Sequence, residues 1–224
     1  MHVVLLGDTV FDPGANAGSS GGVLAALRRV LPAGAAASSL ARDGAAIDDL
    51  PAQLARLPAD VTHLVVGIGS VDAIAALAGT TEATSSVGDA LDRLAAIRDR
   101  FATRYAAVAD ALKATRRPVA LCTIWRPPGR EDRFARAAGV GIDLLDDAIV
   151  RIAVTGALAL IDLRLVCPED GDVDVTGAPS ARGCARIAGA VARFADRTTP
   201  VATCSAQNRM AWRARSCGSG FRFG

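Results

Sequence analysis

The chain has 224 residues, of which 51% are hydrophobic and only 4% aromatic, and its formal net charge is +2. That length allows one sizeable core, built from Ala, Leu, Val and Ile, and the near-neutral balance excludes the electrostatic footprint of a nucleic-acid binder. No apolar run reaches the ~18 residues of a membrane span, and the first run stops at Leu6 without a basic stretch before it, so a soluble, cytoplasmic protein without an export signal is expected.

From the amino terminus, "HVVLLG" (2–7) reads as a buried strand and "GGVLAALRRVL" (21–31) as a helix. A weak second strand, "AAASSLA" (35–41), precedes a short helix at 47–57, in which Pro51 is tolerable only near the start. "THLVVGIG" (62–69) is a strong third strand. Residues 86–114 carry Leu91, Leu94, Phe101, Tyr105, Val108 and Leu112 as one apolar stripe at helical spacing. The pattern continues with "PVALCTI" (118–124, strand), 133–154 (helix), "ALALIDL" (157–163, strand) and 181–195 (helix). Strands alternating with helices imply βαβ units, and unbroken apolar runs imply strands covered on both faces. The expected fold is a three-layer α/β/α sandwich with about five parallel strands over residues 1–197. Residues 198–224 carry four arginines and no acid, with no period, and read as a basic, loosely docked or disordered tail.

Two other features carry no chemistry. The five cysteines (122, 167, 184, 204 and 217) match no zinc spacing and read as idle thiols. The glycine-rich "GANAGSSGG" (14–22) lacks the lysine and the spacing of a phosphate loop and reads as a flexible rim to a cleft. No metal or cofactor is implied.

In open parallel sheets function lies beyond the carboxyl ends of the strands. Those ends here are Gly7-Asp8-Thr9, Arg42-Asp43-Gly44, Gly69-Ser70-Val71-Asp72, Trp125-Arg126 and the loop 164–180. Asp8 reads as the brace of the first turn through backbone N–H groups, and Asp72 as the cap of a helix after the third strand. The two histidines, His2 and His63, start strands, seven residues before Thr9 and Ser70 respectively. Each imidazole is then roughly 20 Å from the catalytic edge, beyond general-base reach.

The order of these blocks resembles that of the SGNH/GDSL hydrolases over residues 1–195. "LLGDTVFD" is similar to their first block, "RDGA" (42–45) to the second, "VVGIGSVDA" (65–73) to the third, and "IDLRLVCPED…APSARGCARIA" (161–188) to the last. The resemblance implies ester hydrolysis, with a small ester or acyl ligand as the partner molecule. It puts the nucleophile at Thr9, where the family has Ser, and the oxyanion glycine at Gly44. Gly69, Ser70 and Asp72 surround the oxyanion Asn position, which is Val71 here. The catalytic Asp and His positions are Val175 and Ala178. A bacterial branch reading "DYANPIEPS" in the last block is similar through "CTI", "LIDLRLVC" and "PSARGCARIA", and its opening Asp matches Asp172. A loop carboxylate, with Asp172 foremost among Glu169, Asp170 and Asp174, is therefore the candidate base for Thr9. Three outcomes follow from these substitutions: a weak esterase, a non-catalytic ligand-binding pseudoenzyme, or a degenerated chain with no present function. The oligomeric state is not legible.

Overall fold

The five apolar runs form five strands: β1 (His2–Gly7), β2 (Ala36–Ser39), β3 (His63–Gly67), β4 (Val119–Cys122) and β5 (Ala159–Ile161). They lie in one parallel sheet in the order β2-β1-β3-β4-β5. The computed structural model describes residues 1–14, 21–78, 82–127 and 133–197. Most of the glycine-rich stretch and the tail from 198 lie outside the described residues, as do Cys204 and Cys217.

Successive side chains of a strand point to opposite faces, and both faces are apolar here. Val3, Leu5, Val65, Ala120 and Ile161 face α1 (Gly22–Val30) and α7 (Ala181–Asp196). Val4, Leu6, Leu64, Val66 and Leu121 face the other layer. That layer holds α2 (Leu50–Leu54), α3 (Ser70–Leu77), α4 (Val87–Ala114) and α5 (Arg133–Thr155). A short α6 (Leu163–Val166) follows β5. The result is the three-layer α/β/α sandwich. Among the described residues no helix is long and apolar enough to cross a membrane.

The apolar stripe expected along 86–114 is buried only in its second half. Phe101, Tyr105, Val108 and Leu112 are in the core, whereas Leu91 is 60% exposed. Length explains the difference. The 28 residues of α4 extend about 42 Å, while a four-residue strand spans only about 13 Å. The first turns of α4 therefore outrun the sheet.

The close approach of β1 and β3 positions the site. Gly7 pairs with Gly67, and its φ of +127° is one that L side chains rarely adopt. A Cβ at Gly7 would overlap the carbonyl oxygen of Gly67. The buried Gln53 amide of α2 accepts from the Gly7 N–H and donates to the Gly7 carbonyl, each at 2.8 Å. These bonds leave the backbone of a buried glycine satisfied where the strand ends.

Gly7→Ala is expected to cost about 3 kcal/mol and to lower Tm by roughly 6–12 °C, through overlap plus an unfavourable φ. Gly44→Ala is the control. Its Cβ would meet nothing within 4 Å, although its φ is +72°, so a cost of about 1 kcal/mol is expected. Thermal unfolding followed by circular dichroism checks both.

Candidate active site

The strand order reverses between β1 and β3, and the loops leaving those two strands diverge there. Asp8 follows β1 directly and is buried. Its N–H donates to the Gly67 carbonyl at 2.9 Å. Its carboxylate accepts from the Ser70 N–H at 3.0 Å and from the Val10 N–H at 3.5 Å. Asp8 therefore caps the amino end of α3 from another strand. Burial holds its pKa above the usual carboxylate value, and hydrogen bonds from the N–H and hydroxyl of Ser70 and the N–H groups of Val10 and Gly69 offset only part of that rise.

Thr9 comes next and is half-buried. Its hydroxyl donates to Asp43 Oδ1 at 2.6 Å. The N–H of Asp43 donates in turn to Asp12 Oδ2 at 2.6 Å, and Asp12 Oδ1 accepts from the Gly14 N–H at 2.7 Å. Ser39 Oγ donates to the Phe11 carbonyl at 2.8 Å. These bonds stitch the loop after β1 to the loop after β2, with Gly44 in an exposed left-handed turn just beyond Asp43.

The carboxylate hydrogen-bonded to Thr9 is thus that of Asp43. Asp172 is engaged elsewhere: it is fully buried, with Oδ1 paired to Arg182 Nε at 2.8 Å and Oδ2 to Arg186 at 3.1 Å. Oδ2 also accepts from the Glu169 N–H. The last loop is therefore clamped to α7 through Asp172, where the sequence pointed to a base. Nor does Asp72 cap its own helix. Its carboxylate accepts from the Ile47 N–H at 2.8 Å and pairs with Arg104 of α4 at 2.8 Å. Gly69 is buried, and Ser70 and Val71 open α3.

Val175 is fully exposed and Ala178 half-buried, in a turn held by the Asp174 carboxylate through the N–H groups of Thr176 and Ala178. Trp125 Nε1 donates to the Gly177 carbonyl at 2.9 Å and fastens this turn to the end of β4. Both imidazoles sit at the amino ends of their strands. His2 bonds to Asp60 and Ser38, while His63 bonds to Thr62 and packs edge-on against Phe194.

An apolar cleft of about 460 Å³ opens between α3 and α5. Its wall includes Ser70, Ile74, Leu77, Ile124, Trp125 and Ala138. Ser70 connects it to the Asp8-Thr9 turn. Beneath the cleft, Asp146 of α5 is fully buried and accepts from the Ile124 N–H at 2.8 Å. Its other oxygen lies 3.6 Å from Arg164. Burial pushes the Asp146 carboxyl up to about 6, against the Ile124 N–H and the Arg164 cation. The described cysteines, Cys122, Cys167 and Cys184, are buried, and burial pushes the Cys167 thiol up to about 12. They are inert thiols.

The sequence put Asp43 at a strand end but gave neither it nor Asp12 a role beside Thr9, and did not single out Asp146. "RDGA" contains Asp43 beside the glycine that drew attention, but its contact with Thr9 spans 34 positions, and no spacing signals such a contact.

No family model and no curated protein matches the chain. Solved structures do. An extracellular lipase from Streptomyces rimosus superposes with a TM-score of 0.61 at 17% identity, over 89% of this chain and 100% of that one. An acetylxylan esterase from Geobacillus stearothermophilus gives 0.60 at 15%, over 88% and 97%. A protein ascribed to the lipolytic G-D-S-L family, from Desulfitobacterium hafniense, gives 0.58 at 14%, over 86% and 98%. At such identities the likeness is one of fold.

Asp146 yields a pH prediction. Between 3.8 and about 6 the folded chain keeps a proton that the unfolded chain has lost, so this group makes stability fall as pH rises through that window. Asp146→Asn does not titrate. It should gain on the wild type between about pH 4 and pH 7, by up to roughly 3 kcal/mol. Urea unfolding of both proteins at the two pH values measures the difference.

Proposed function

We propose that this chain, on its SGNH/GDSL hydrolase fold, binds small esters or acyl compounds through an apolar chain and cleaves them far more slowly than a triad enzyme. The observation that carries the reading is the apolar cleft beside Ser70, whose N–H is held by the carboxylate next to Thr9. Mainly aliphatic walls, with Trp125 at one side, favour an alkyl or acyl chain as the group that fills the cleft. The lipase and esterase among the structural neighbours support an ester as the ligand class. The hydrolase-like unit is taken as 1–197, with 198–224 as an appended basic tail.

The slow rate follows from the replacements. A carboxylate meets the Thr9 hydroxyl, and carboxylates are much weaker proton acceptors than imidazole. Loss of a triad base commonly costs ~10⁴ in rate. Val71 offers no side-chain donor to an oxyanion, a loss typically of ~10²–10³. A second reading, ligand binding without turnover, is favoured by the exposed Val175 and by Ala178, which leave the last loop with no acid–base group at the family's two positions.

The test is a series of p-nitrophenyl esters from acetate to octanoate. KM should fall about fourfold per added methylene, at ~0.8 kcal/mol each, until the cleft is full. Ala138→Trp, on the cleft wall, should cancel the trend and leave Tm unchanged. If the same esters only displace a fluorescent fatty acid, with the same length dependence and no p-nitrophenol, the second reading holds. Affinity independent of chain length contradicts both.

A further inference from the structure

We infer that Asp43 is the proton acceptor for Thr9, so that nucleophile and base form a threonine–carboxylate pair assembled from the ends of β1 and β2, with Asp12 as its positioning residue. This rests on the ester reading above and adds the base that the fold's histidines cannot supply from the far end of the sheet.

The geometry is that of a working pair. At 2.6 Å the Thr9–Asp43 bond has the length of a hydroxyl donating to a charged carboxylate. Asp43 is exposed, and among the described residues no cation pairs with it. The neighbouring Arg42 is spent on Asp49 at 3.3 Å. Asp172 is bound to Arg182 and Arg186, Asp72 to Arg104, and Asp8 to the Ser70 N–H, while Asp146 is fully buried on α5, bonded to the Ile124 N–H, and it is Asp43 that the Thr9 hydroxyl meets. Asp43 is also held in place. Asp12 accepts its N–H at 2.6 Å, and the Arg42 N–H donates to the Gly7 carbonyl at 3.1 Å, so Asp43 and the residue before it are tied to the end of β1 and the loop that follows. The charged groups facing Asp43 are therefore Asp12, from the loop after β1, and Arg42, from its own loop. A β-branched side chain has few χ1 choices, and the bond to Asp43 selects one of them for Thr9.

The chemistry balances without a further reactant. Thr9 Oγ attacks the ester carbonyl carbon, and its proton passes to Asp43 Oδ1. The carbon–oxygen bond to the alcohol breaks, the alcohol leaves with the proton from Asp43, and the acyl group remains on Thr9. Water then attacks that acyl carbon and gives a proton to Asp43. Collapse releases the acid and returns the proton to Thr9.

The experiment uses the full chain with p-nitrophenyl butyrate, and separately with diethyl p-nitrophenyl phosphate, which marks a nucleophilic hydroxyl. Binding of a fluorescent fatty acid is measured in parallel. Peptide mass spectrometry of the wild type should find the phosphoryl group on Thr9. Asp43→Asn should lower kcat at least 10²-fold with KM unchanged, and should abolish the acid limb of the kcat/KM profile. Asp43→Glu should recover part of the rate and keep that limb, which separates loss of a base from loss of fold. The inference is overturned if Asp43→Asn works at the wild-type rate. It is equally overturned if the wild type neither turns over nor becomes labelled. When the fatty acid still binds in those cases, the ligand-binding reading stands alone. Labelling of Thr9 that depends on Asp43, without fatty-acid binding, supports the pair and refutes the apolar-ligand reading.

Discussion

One buried carboxylate organises the working edge of this protein. Asp8 leaves the end of β1 where that strand lies so close to β3 that a Cβ at Gly7 would overlap the Gly67 carbonyl, and where Gly67 in turn lies under the Val10 and Phe11 side chains. Its N–H prolongs the contact to Gly67, and its side chain takes the first N–H of α3. Burial disfavours its charge, while the N–H groups and the positive end of the helix favour it. With Asp8 in place, the orientation of α3, the presentation of Thr9 and one wall of the apolar cleft are decided together.

The same economy recurs around the edge. Asp72 joins α3 to the Ile47 turn and to α4, Asp146 joins α5 to the end of β4, and Asp172 joins the last loop to α7. Each of these carboxylates accepts a backbone N–H, that of Ile47, Ile124 or Glu169, and an arginine lies beside each. These acids hold the loops in place. Asp43 is the contrasting case, solvent-facing and joined to a hydroxyl. At Thr9 the fold brings a β-branched hydroxyl and an exposed carboxylate together beside an apolar cleft.

Much of the architecture was legible in the sequence. Apolar runs of five or six residues, such as "HVVLLG" and "HLVVG", have nowhere to go but a sheet covered on both faces. The alternation with helices orders the strands as parallel. Where periodicity misled, length was the cause: Leu91 keeps the helical spacing of the stripe, but α4 has by then passed the end of the sheet and no core remains to receive it.

The sequence by itself determined the layers, the strand ends and the position of a hydroxyl at Thr9, because burial and helix or strand period are properties of short stretches. It also showed that the chain's imidazoles, at the starts of strands, lie far from that hydroxyl. Only the tertiary structure decided which acid serves which partner. Asp43 and Thr9 are 34 positions apart, and Asp172 and Asp43 look alike as letters in polar loops. One is sealed between two arginines and the other meets the hydroxyl, because side-chain pairing depends on where the loops of separate strands converge, which local pattern does not encode.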